Sequence, residues 1–431
     1  MDAQPPIRGR QFLTADRRFA TGAGVLARLF APGFRRVLDR IDAGLEHGAI
    51  DARLPDGERR MLGGRGPGPV AIVELKSWRA LVRLMTTGSV GWYRGWAEGE
   101  WTSPDLVPLF DLFMRNREGL GNTGRARGPA RLVNYLLHLM RRNNRNGARR
   151  NIAFHYDLGN DFYSAWLDPD MTYSSAIFAE PISAAEPLEQ AQHRKIGLLL
   201  DRLELKPGDR LLEIGCGWGS LIEVAGGERG AQVTGITLSE EQKAFTEKRL
   251  AAAGLAGKMA IELCDYRDVQ GQYDAVASVE MVEAVGEAYW PAYMQAIART
   301  LKPGGRAAIQ FIAIDDAIFE SYAVNADFIQ AYIFPGGLLI SESRFRAAAE
   351  AAGLSWEDRR GYGLHYAETL KRWRDRFDAA VAEGRLPAGF DDRFVTLWRY
   401  YLMYCEGGFR GGGIDVAQVT LVKLVPRRPD A

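Results

Sequence analysis

The chain has 431 residues, which is enough for two domains, and 47% of them are hydrophobic, which is enough for a substantial core. The net charge of +1 argues against a nucleic-acid partner, and three scattered cysteines argue against a disulfide framework or a metal site. The first residues are polar and no stretch is long and apolar enough to span a bilayer, so we predict a cytoplasmic protein.

Residues 1–140 are predicted to form an N-terminal accessory domain that associates with lipid. Apolar residues at helical spacing predict a helix over Gly24–Ile41, and the Gly/Pro-rich stretch Gly48–Val82 is typical of short strands and turns. The arginine-rich connector Arg125–Arg150 is either a solvated linker or a surface for anionic phospholipid headgroups. A group of aromatic residues forms either a substrate surface or part of a core: Trp92, Tyr93, Trp96 and Trp101.

Residues 141–431 are predicted to form an α/β domain with a doubly wound, Rossmann-like parallel sheet. The reason is that predicted strands alternate with helices from residue 210 to residue 312. Ligands of such sheets bind at the carboxyl ends of the strands. A segment of about residues 315–345, rich in aromatic side chains, interrupts the alternation, and we interpret it as an apolar lid that covers the site.

A strand, a glycine turn and a helix follow one another in Arg210–Ser220. The apolar Leu211–Ile214 predicts the end of a buried strand, and the glycines that follow form a turn with no side chains to block a ligand. The backbone N–H groups of such a turn suit a polar or anionic ligand group. The Gly-x-Gly-x-Gly spacing, preceded by Glu213, resembles the first motif of S-adenosylmethionine methyltransferases more than the Gly-x-Gly-x-x-Gly of NAD enzymes.

Residues suited to the parts of S-adenosylmethionine lie in this turn and at the ends of the next two strands. The turn residues Gly215, Cys216 and Gly217 are predicted to hold its amino-acid part. The residues predicted to meet the ribose and adenine are Thr237, Leu238, Gln242, Asp265, Tyr266 and Arg267. The alternatives are that Thr237 only starts a helix and that Asp265 only caps a loop.

Seven motifs resemble the cyclopropane-fatty-acyl-phospholipid synthase family, which includes mycolic acid cyclopropane synthases and fatty-acid methyltransferases. They are His155–Asn160, Tyr173–Ala176, Leu212–Gly219, Gly235–Ser239, Val282–Gly286, Tyr332–Gly337 and His365–Leu370. The resemblance extends from Ile152 to the C-terminus and, more loosely, over Trp92–Phe110. It implies that Tyr173 and Ser174 contact the cofactor.

The resemblance implies that a cis double bond of a phospholipid acyl chain attacks the sulfonium methyl group and that a base removes a proton as a cyclopropane ring closes. Such a carbocation reaction requires an apolar, water-free tunnel. In the family a bicarbonate ion is the base. Carried over by position, the residues that hold it are Ser175, Glu283, Gln310, Ile312 and Tyr366, while Cys405 matches a cysteine often marked as the active site.

Three positions depart from the family pattern. Ser175 stands in place of a cysteine, Gln310 in place of a histidine, and Ala284 where a histidine usually follows the glutamate. The side chains of Ser175 and Gln310 can still donate hydrogen bonds to an anion. Cys405 has a weak physical case, because this chemistry requires no nucleophile.

The predicted function is therefore the transfer of a methyl(ene) group from S-adenosylmethionine to the double bond of unsaturated phospholipid acyl chains, forming cyclopropane fatty acids. Loss of a proton from a neighbouring carbon would instead give a methyl-branched or methylene chain, which is the alternative. A non-catalytic lipid-binding relative and a small-molecule methyltransferase are disfavoured by Glu283 and Tyr366 and by the aromatic lid. We expect transient, peripheral contact with the inner face of the cell membrane, and a homodimer is left open.

Overall fold

The computed structural model describes residues 8–9, 11–12, 31–121, 158–324 and 327–425. They form two compact units, each discontinuous in sequence. The first unit draws its described residues from Met1–Arg141, Ala317–Gly336 and Leu370–Ile414, and the second from Arg142–Asp316, Gly337–Thr369 and Asp415–Ala431. The sequence analysis placed one boundary near residue 140, whereas the contacts also group part of the predicted lid and a C-terminal segment with the N-terminal residues.

The first unit contains a four-stranded sheet built from β1 (His47–Arg53), β2 (Arg59–Gly63), β3 (Gly66–Leu75) and β4 (Trp101–Thr102). The strand order is β2-β1-β3-β4, with β1 antiparallel to β2 and parallel to β3. The N-terminal helices of this unit are Ala31–Gly44, Arg79–Ala97, Val107–Arg115 and Arg117–Leu120. The region predicted as strands and turns therefore ends at β3, because Leu81 and Leu84 are buried at helical spacing. The connector Arg125–Arg150, His155 and residues 13–30 lie outside the described residues.

The aromatic residues at the end of the helix Arg79–Ala97 belong mainly to the core of this unit. Trp92, Tyr93 and Trp101 are all at most 5% exposed. The rings of Trp92 and Trp101 stack with centroids 4.0 Å apart, and the indole N–H of Trp101 donates to the carbonyl of Trp92 at 2.9 Å. For these three residues the core interpretation is confirmed over the substrate surface.

The described part of the predicted lid within Ala317–Gly336 contributes to the same core. It includes residues of the helix Asp316–Ala323 and the π-helical turn Ile329–Ile333. The ring of Tyr93 contacts those of Phe328, Tyr332 and Tyr400 at centroid distances of 5.0, 4.8 and 4.9 Å. The backbone N–H of Phe328 also donates to Ser89 Oγ at 3.0 Å. The role of this segment as a cover for the site remains a prediction.

Two long C-terminal helices complete the first unit: the second half of Gly363–Ala382, and Asp392–Arg410. The helix Asp392–Arg410 crosses the helix Val107–Arg115 at Gly407, where a Cβ atom would lie only 2.4 Å from the Cβ of Phe110. Glycine is required there because the two backbones approach too closely for any side chain.

The second unit is organised around a mixed, mostly parallel sheet. Its strands are β5 (Arg210–Ile214), β6 (Gln232–Thr237), β7 (Ala260–Leu263), β8 (Tyr273–Val279), β9 (Leu301–Ile314), β10 (Ile340–Ser341), β11 (Leu354–Gly361) and β12 (Ile414–Lys423). Their order is β11-β12-β9-β8-β5-β6-β7, and β10 pairs with β9. The predicted α/β fold is confirmed. The strands predicted between residues 210 and 312 are parallel, whereas β11 and β12, whose direction was not predicted, pair antiparallel, as is common at the edges of such sheets.

The strands β8, β5 and β6 are parallel neighbours, and β9 is parallel to β8 on its other side. Their carboxyl ends therefore meet at one edge of the sheet, where ligands of this fold bind. The core below that edge is apolar and includes Leu211, Val233 and Ala275. Helices flank the sheet, at Asn160–Ser164, Leu188–Asp201, Ser220–Gly227, Glu240–Ala252, Trp290–Thr300 and Glu342–Ala351. Within the described ranges, no helix combines the length and the apolar character needed to cross a bilayer.

Candidate active site

The glycine turn after β5 adopts a backbone conformation that leaves one side open. Gly215, Gly217 and Gly219 have φ values of +84°, +52° and +84°, in the left-handed region that favours glycine. A Cβ atom on Gly219 would lie 2.4 Å from Thr246 Cγ2, so that glycine is required for packing. A Cβ atom on Gly217 would meet nothing within 4 Å. The space beside Gly217 can therefore hold part of a ligand, as predicted for the amino-acid part of the cofactor.

Two buried charged residues lie near this turn. In the described part of the chain, the Oε2 atom of Glu213 is buried without a hydrogen-bond partner, and burial raises the pKa of this carboxyl well above its usual range. The Nζ atom of Lys195, on the helix Leu188–Asp201, donates to Ser174 Oγ at 2.7 Å. Burial lowers the pKa of Lys195 to about 8, while the charges of Glu280, Asp168 and Glu213 act in the opposite direction.

These features fit S-adenosylmethionine, which carries positive charge on its sulfonium and ammonium groups. An unpartnered buried carboxylate oxygen is costly and is relieved by a cationic ligand group. Glu213 supplies such an oxygen at the end of β5, and the open position at Gly217 supplies space in the following turn. Cys216, between the glycines of the turn, is buried, and burial raises the pKa of its thiol, so it is not a nucleophile.

The residues predicted for the ribose and adenine lie in two local hydrogen-bonded groups. Thr237 Oγ1 donates to Gln242 Oε1 at 2.8 Å and accepts from the N–H of Ser239, next to the half-buried Leu238. The carboxylate of Asp265 accepts two hydrogen bonds from the guanidinium of Arg267, at 2.8 and 2.6 Å. That guanidinium also lies 5.3 Å from the ring centre of Tyr266. Thr237 therefore makes the contacts of a helix-start residue and Asp265 those of a loop residue. Contacts of either residue with the cofactor remain predictions.

The loop Tyr173–Phe178 is fixed by side chains of two helices. The N–H of Ala176 donates to Thr369 Oγ1 at 3.1 Å, and the N–H of Phe178 donates to His365 Nδ1 at 3.1 Å. Gln192 Nε2 donates to the carbonyl of Ser174 at 2.9 Å. The ring of Tyr173 packs against those of Tyr163 and Trp166. The loop therefore presents the backbone of Ser175 in a defined position.

A residue not predicted from the sequence, Glu280, lies at the centre of the predicted anion site. It directly follows β8 and has a φ of +48°, a left-handed conformation that costs a non-glycine residue about 1–2 kcal/mol. Its Oε1 atom accepts from the N–H of Ser175 at 2.8 Å and from Gln310 Nε2 at 2.7 Å. Its Oε2 atom accepts from the hydroxyl of Tyr366 at 2.8 Å. Both carboxylate oxygens are thus held by the groups expected to hold bicarbonate.

The donors around Glu280 are themselves fixed. Gln310 Oε1 accepts from Gln418 Nε2 at 3.0 Å, which sets the orientation of the Gln310 amide. The N–H of Glu280 donates to the carbonyl of Gln310 at 2.8 Å, so the two residues are bonded through both backbone and side chain. Burial raises the pKa of the Glu280 carboxyl, while the hydrogen bonds from Ser175, Gln310 and Tyr366 and the charge of Lys195 lower it.

Glu283, in the short 3-10 helix Val282–Ala284 after β8, has a different environment. Its Oε1 atom accepts from the N–H of Ile312 at 2.5 Å. Its Oε2 atom is buried and has no hydrogen-bond partner among the residues described. Burial and, second, the charge of Glu280 raise the pKa of the Glu283 carboxyl to about 8. The neighbouring carboxyl groups of Glu280 and Glu283 therefore differ in the number of hydrogen bonds that they accept.

The structure brings together Ser175, Glu283, Gln310, Ile312 and Tyr366 in the second unit, with two differences from the sequence analysis. The hydroxyl of Ser175 donates to the carbonyl of Ala176 at 3.0 Å, so the residue contributes its backbone N–H to the carboxylate instead. Cys405 belongs to the first unit, on the helix Asp392–Arg410, and burial raises the pKa of its thiol. A protonated thiol is a poor nucleophile.

Sequence reasoning missed Glu280, Lys195 and Gln418. A signal for Glu280 was available, because a charged residue directly after a buried strand lies at the edge where ligands bind. Its left-handed backbone, which turns the carboxylate toward Ser175, is not visible in the sequence. Lys195 and Gln418 carry no local signal, since a lysine on a helix and a glutamine on a strand are ordinarily exposed.

The sheet topology, the open glycine turn and the carboxyl-edge residues define an S-adenosylmethionine-dependent methyltransferase. Residues 143–419 match the family model described as mycolic acid cyclopropane synthetase. This chain is therefore a member of the cyclopropane synthase family.

Individual proteins agree with this assignment. The chain is 41% identical over 360 residues to the tuberculostearic acid methyltransferase UfaA1 of Mycobacterium tuberculosis, covering 80% of this chain and 81% of that protein. It is 35% identical over 364 residues to the cyclopropane-fatty-acyl-phospholipid synthase of Escherichia coli, covering 82% and 88%. The mycolic acid cyclopropane synthase CmaA1, solved with SAH and CTAB, superposes with a TM-score of 0.59 at 30% identity, covering 64% of this chain and 98% of that one.

Proposed function

We propose that this enzyme transfers the methyl group of S-adenosylmethionine to the double bond of an unsaturated phospholipid acyl chain and that the product keeps a double bond. The observation that carries the proposal is the hydrogen bonding of Glu280. Its carboxylate accepts hydrogen bonds from Ser175, Gln310 and Tyr366, the residues that were expected to hold bicarbonate.

The geometry of the two anions differs in one respect that bears on the product. Bicarbonate has three oxygen atoms, so it can be held by two of them and present the third to the substrate. The carboxylate of Glu280 has two oxygen atoms, and both already accept hydrogen bonds. Three of its roughly four lone-pair sites are thus engaged, so Glu280 is less able than the third oxygen of bicarbonate to take a proton from the transferred methyl group during ring closure. Proton loss from a neighbouring carbon then leaves a methyl-branched or methylene chain.

The names of relatives support this choice. Besides UfaA1, a probable fatty acid methyltransferase of Pseudomonas putida is 38% identical over 275 residues, covering 63% of this chain and 68% of that protein. The departures at Ser175 and Gln310 have the same direction, because each replaces a residue that the cyclopropane synthase pattern uses to hold its base.

Cyclopropane formation is the second candidate, favoured by the similarity to the Escherichia coli synthase over 88% of its length. The retained contact of Glu283 with the N–H of Ile312 also favours it. Under either candidate we propose that the enzyme acts from the cytoplasm on the inner face of the membrane, in transient contact with phospholipid.

The test is expression in a bacterial host that lacks its own cyclopropane synthase, followed by mass spectrometry and proton NMR of the fatty acids. We expect a gain of one methylene unit with olefinic proton signals retained, and the same product from purified enzyme in bicarbonate-free buffer. Cyclopropane proton signals without a methylated alkene would overturn the proposed product. No modified lipid from a folded enzyme that binds S-adenosylmethionine would overturn the proposed function.

A further inference from the structure

The two carboxyl groups at the end of β8 differ in what they can still accept. Glu280 accepts three hydrogen bonds, from an amide N–H, a carboxamide N–H and a phenol O–H, and these cover both of its oxygens. Hydrogen bonds to a carboxylate favour its charged form. The buried ammonium of Lys195 acts in the same direction. Burial still raises the pKa of the Glu280 carboxyl, and these contacts offset part of the cost of keeping it as an anion.

Glu283 retains a free acceptor. Only its Oε1 atom is engaged, by the N–H of Ile312, while Oε2 is buried without a partner within the described chain. A buried oxygen without a partner is costly in a native structure and calls for an explanation. At a reaction site, the expected explanation is that Glu283 Oε2 accepts a proton or a hydrogen bond during the reaction.

We propose that the two carboxylates have separate roles, with Glu280 as the fixed anion that stabilises positive charge on the acyl chain and Glu283 Oε2 as the acceptor of the departing proton. This assignment rests on the proposed function. The π electrons of the alkene form the new C–C bond as the S–CH3 bond breaks, with its electron pair retained by sulfur. The resulting cation loses a proton from a neighbouring carbon to Glu283, and that C–H electron pair becomes the new double bond.

The physical basis is that the two steps need different groups. A carbocation is stabilised by a negative charge that is already in place in a poorly solvated site and does not reorganise. Proton removal is favoured at an oxygen that accepts no hydrogen bond, because each donor bound to a carboxylate oxygen weakens it as a base. Neighbouring carboxyl groups whose environments differ commonly divide acid–base and electrostatic work in this way.

The test is a single-turnover experiment with vesicles of oleoyl-containing phosphatidylethanolamine and phosphatidylglycerol, in which S-adenosylhomocysteine and lipid products are measured separately. We expect Glu280→Gln to slow formation of S-adenosylhomocysteine by about 10²–10³-fold, the usual range for loss of a charge-stabilising group. We expect Glu283→Gln to slow it much less. In that variant the amount of methylated alkene formed per S-adenosylhomocysteine should fall, because the cation has lost its proton acceptor.

Glu287→Gln is the matched control, since Glu287 lies four residues beyond Glu283 and pairs with Arg344 on the surface. It should behave as the unmodified enzyme. Equal slowing by Glu280→Gln and Glu283→Gln, with the ratio of alkene to S-adenosylhomocysteine unchanged in both, would overturn the division of roles. If the unmodified enzyme forms no methylated lipid, the proposed function fails instead, so the two failures are distinguishable.

Glu280→Gly provides a second route if Glu280→Gln does not fold. Glycine suits the φ of +48° and leaves the donors of Ser175, Gln310 and Tyr366 free for a small anion. Added formate should restore formation of S-adenosylhomocysteine in Glu280→Gly but should not restore the alkene yield of Glu283→Gln. A folded Glu280→Gly variant that formate fails to rescue would also overturn the proposal.

Discussion

The pH dependence of turnover should report the ionisation of Glu283. Its pKa is raised to about 8, by burial first and by the charge of Glu280 second. A group with that pKa is about one tenth ionised at pH 7 and about nine tenths ionised at pH 9. If the ionised carboxylate accepts the proton, kcat/KM for methylated alkene should rise by up to about tenfold across this interval.

Glu280→Gln is the perturbation that identifies the titrating group. It removes the negative charge that raises the pKa of Glu283, so the rising part of the residual activity should move to lower pH. The assay is the initial rate of methylated alkene formation from vesicles between pH 6.5 and 9.5, at constant ionic strength and saturating S-adenosylmethionine. Lys195 also loses its proton near pH 8, and this removes positive charge beside Glu280, so it acts as a falling component.

Two outcomes would contradict this reasoning. A profile without a rising part below pH 9 would mean that Glu283 is not the proton acceptor or is already ionised at neutral pH. Coincident normalised profiles of the unmodified enzyme and Glu280→Gln would mean that the two carboxyl groups are not coupled.

Four further results are expected. Gly217→Val should reduce S-adenosylmethionine affinity by about tenfold or more in calorimetry, because it fills the open space beside the turn; unchanged affinity in a folded variant would refute the cofactor placement. Glu283→Gln should raise Tm at pH 9, by about 2–4 °C for each kcal/mol that it adds to the free energy of unfolding. The pKa of Glu283 is higher in the folded than in the unfolded state, so the stability contributed by its protonated carboxyl is lost as pH rises through about 8. An equal or lower Tm would argue against a raised pKa. Lys195→Met should lower stability by about 3 kcal/mol in urea unfolding, since it leaves buried carboxylates without their cation; a neutral effect would mean that those carboxyls are protonated. Deletion of residues 1–140 should expose Phe328 and Tyr332 and increase binding of an apolar dye, whereas a soluble truncated chain with no increase would show that the N-terminal segment is dispensable to this core.

The sequence predicted the second unit well because its signals are local. Strand and helix alternation and the glycine turn each depend on neighbouring residues, and so does the cap of the helix Glu240–Ala252 by Ser239. The sequence could not give the direction of β11 and β12, because their antiparallel pairing joins strands more than 50 residues apart. Such pairing is set by the tertiary fold, not by local propensity.

The site was predicted as a set of positions but not as a set of contacts. Ser175, Gln310 and Tyr366 do converge, yet on a side chain of the protein itself. Finding Glu280 required its left-handed backbone, and finding the free oxygen of Glu283 required the hydrogen bonds of its neighbours. Both depend on three-dimensional placement, which a spacing pattern does not specify.

The core of the first unit is assembled from segments that are far apart along the chain, and this has a consequence during synthesis. Arg115 donates a hydrogen bond to the carbonyl of Arg410 across 295 positions of sequence. At about 5–20 residues per second, a ribosome needs roughly 15–60 s to make the intervening chain. For that time the helix Val107–Arg115 has been made but the helix that covers it has not. We expect the nascent chain to expose the apolar face of Val107–Arg115 until the helix Asp392–Arg410 has been made, and its yield to depend on chaperones that bind such surfaces.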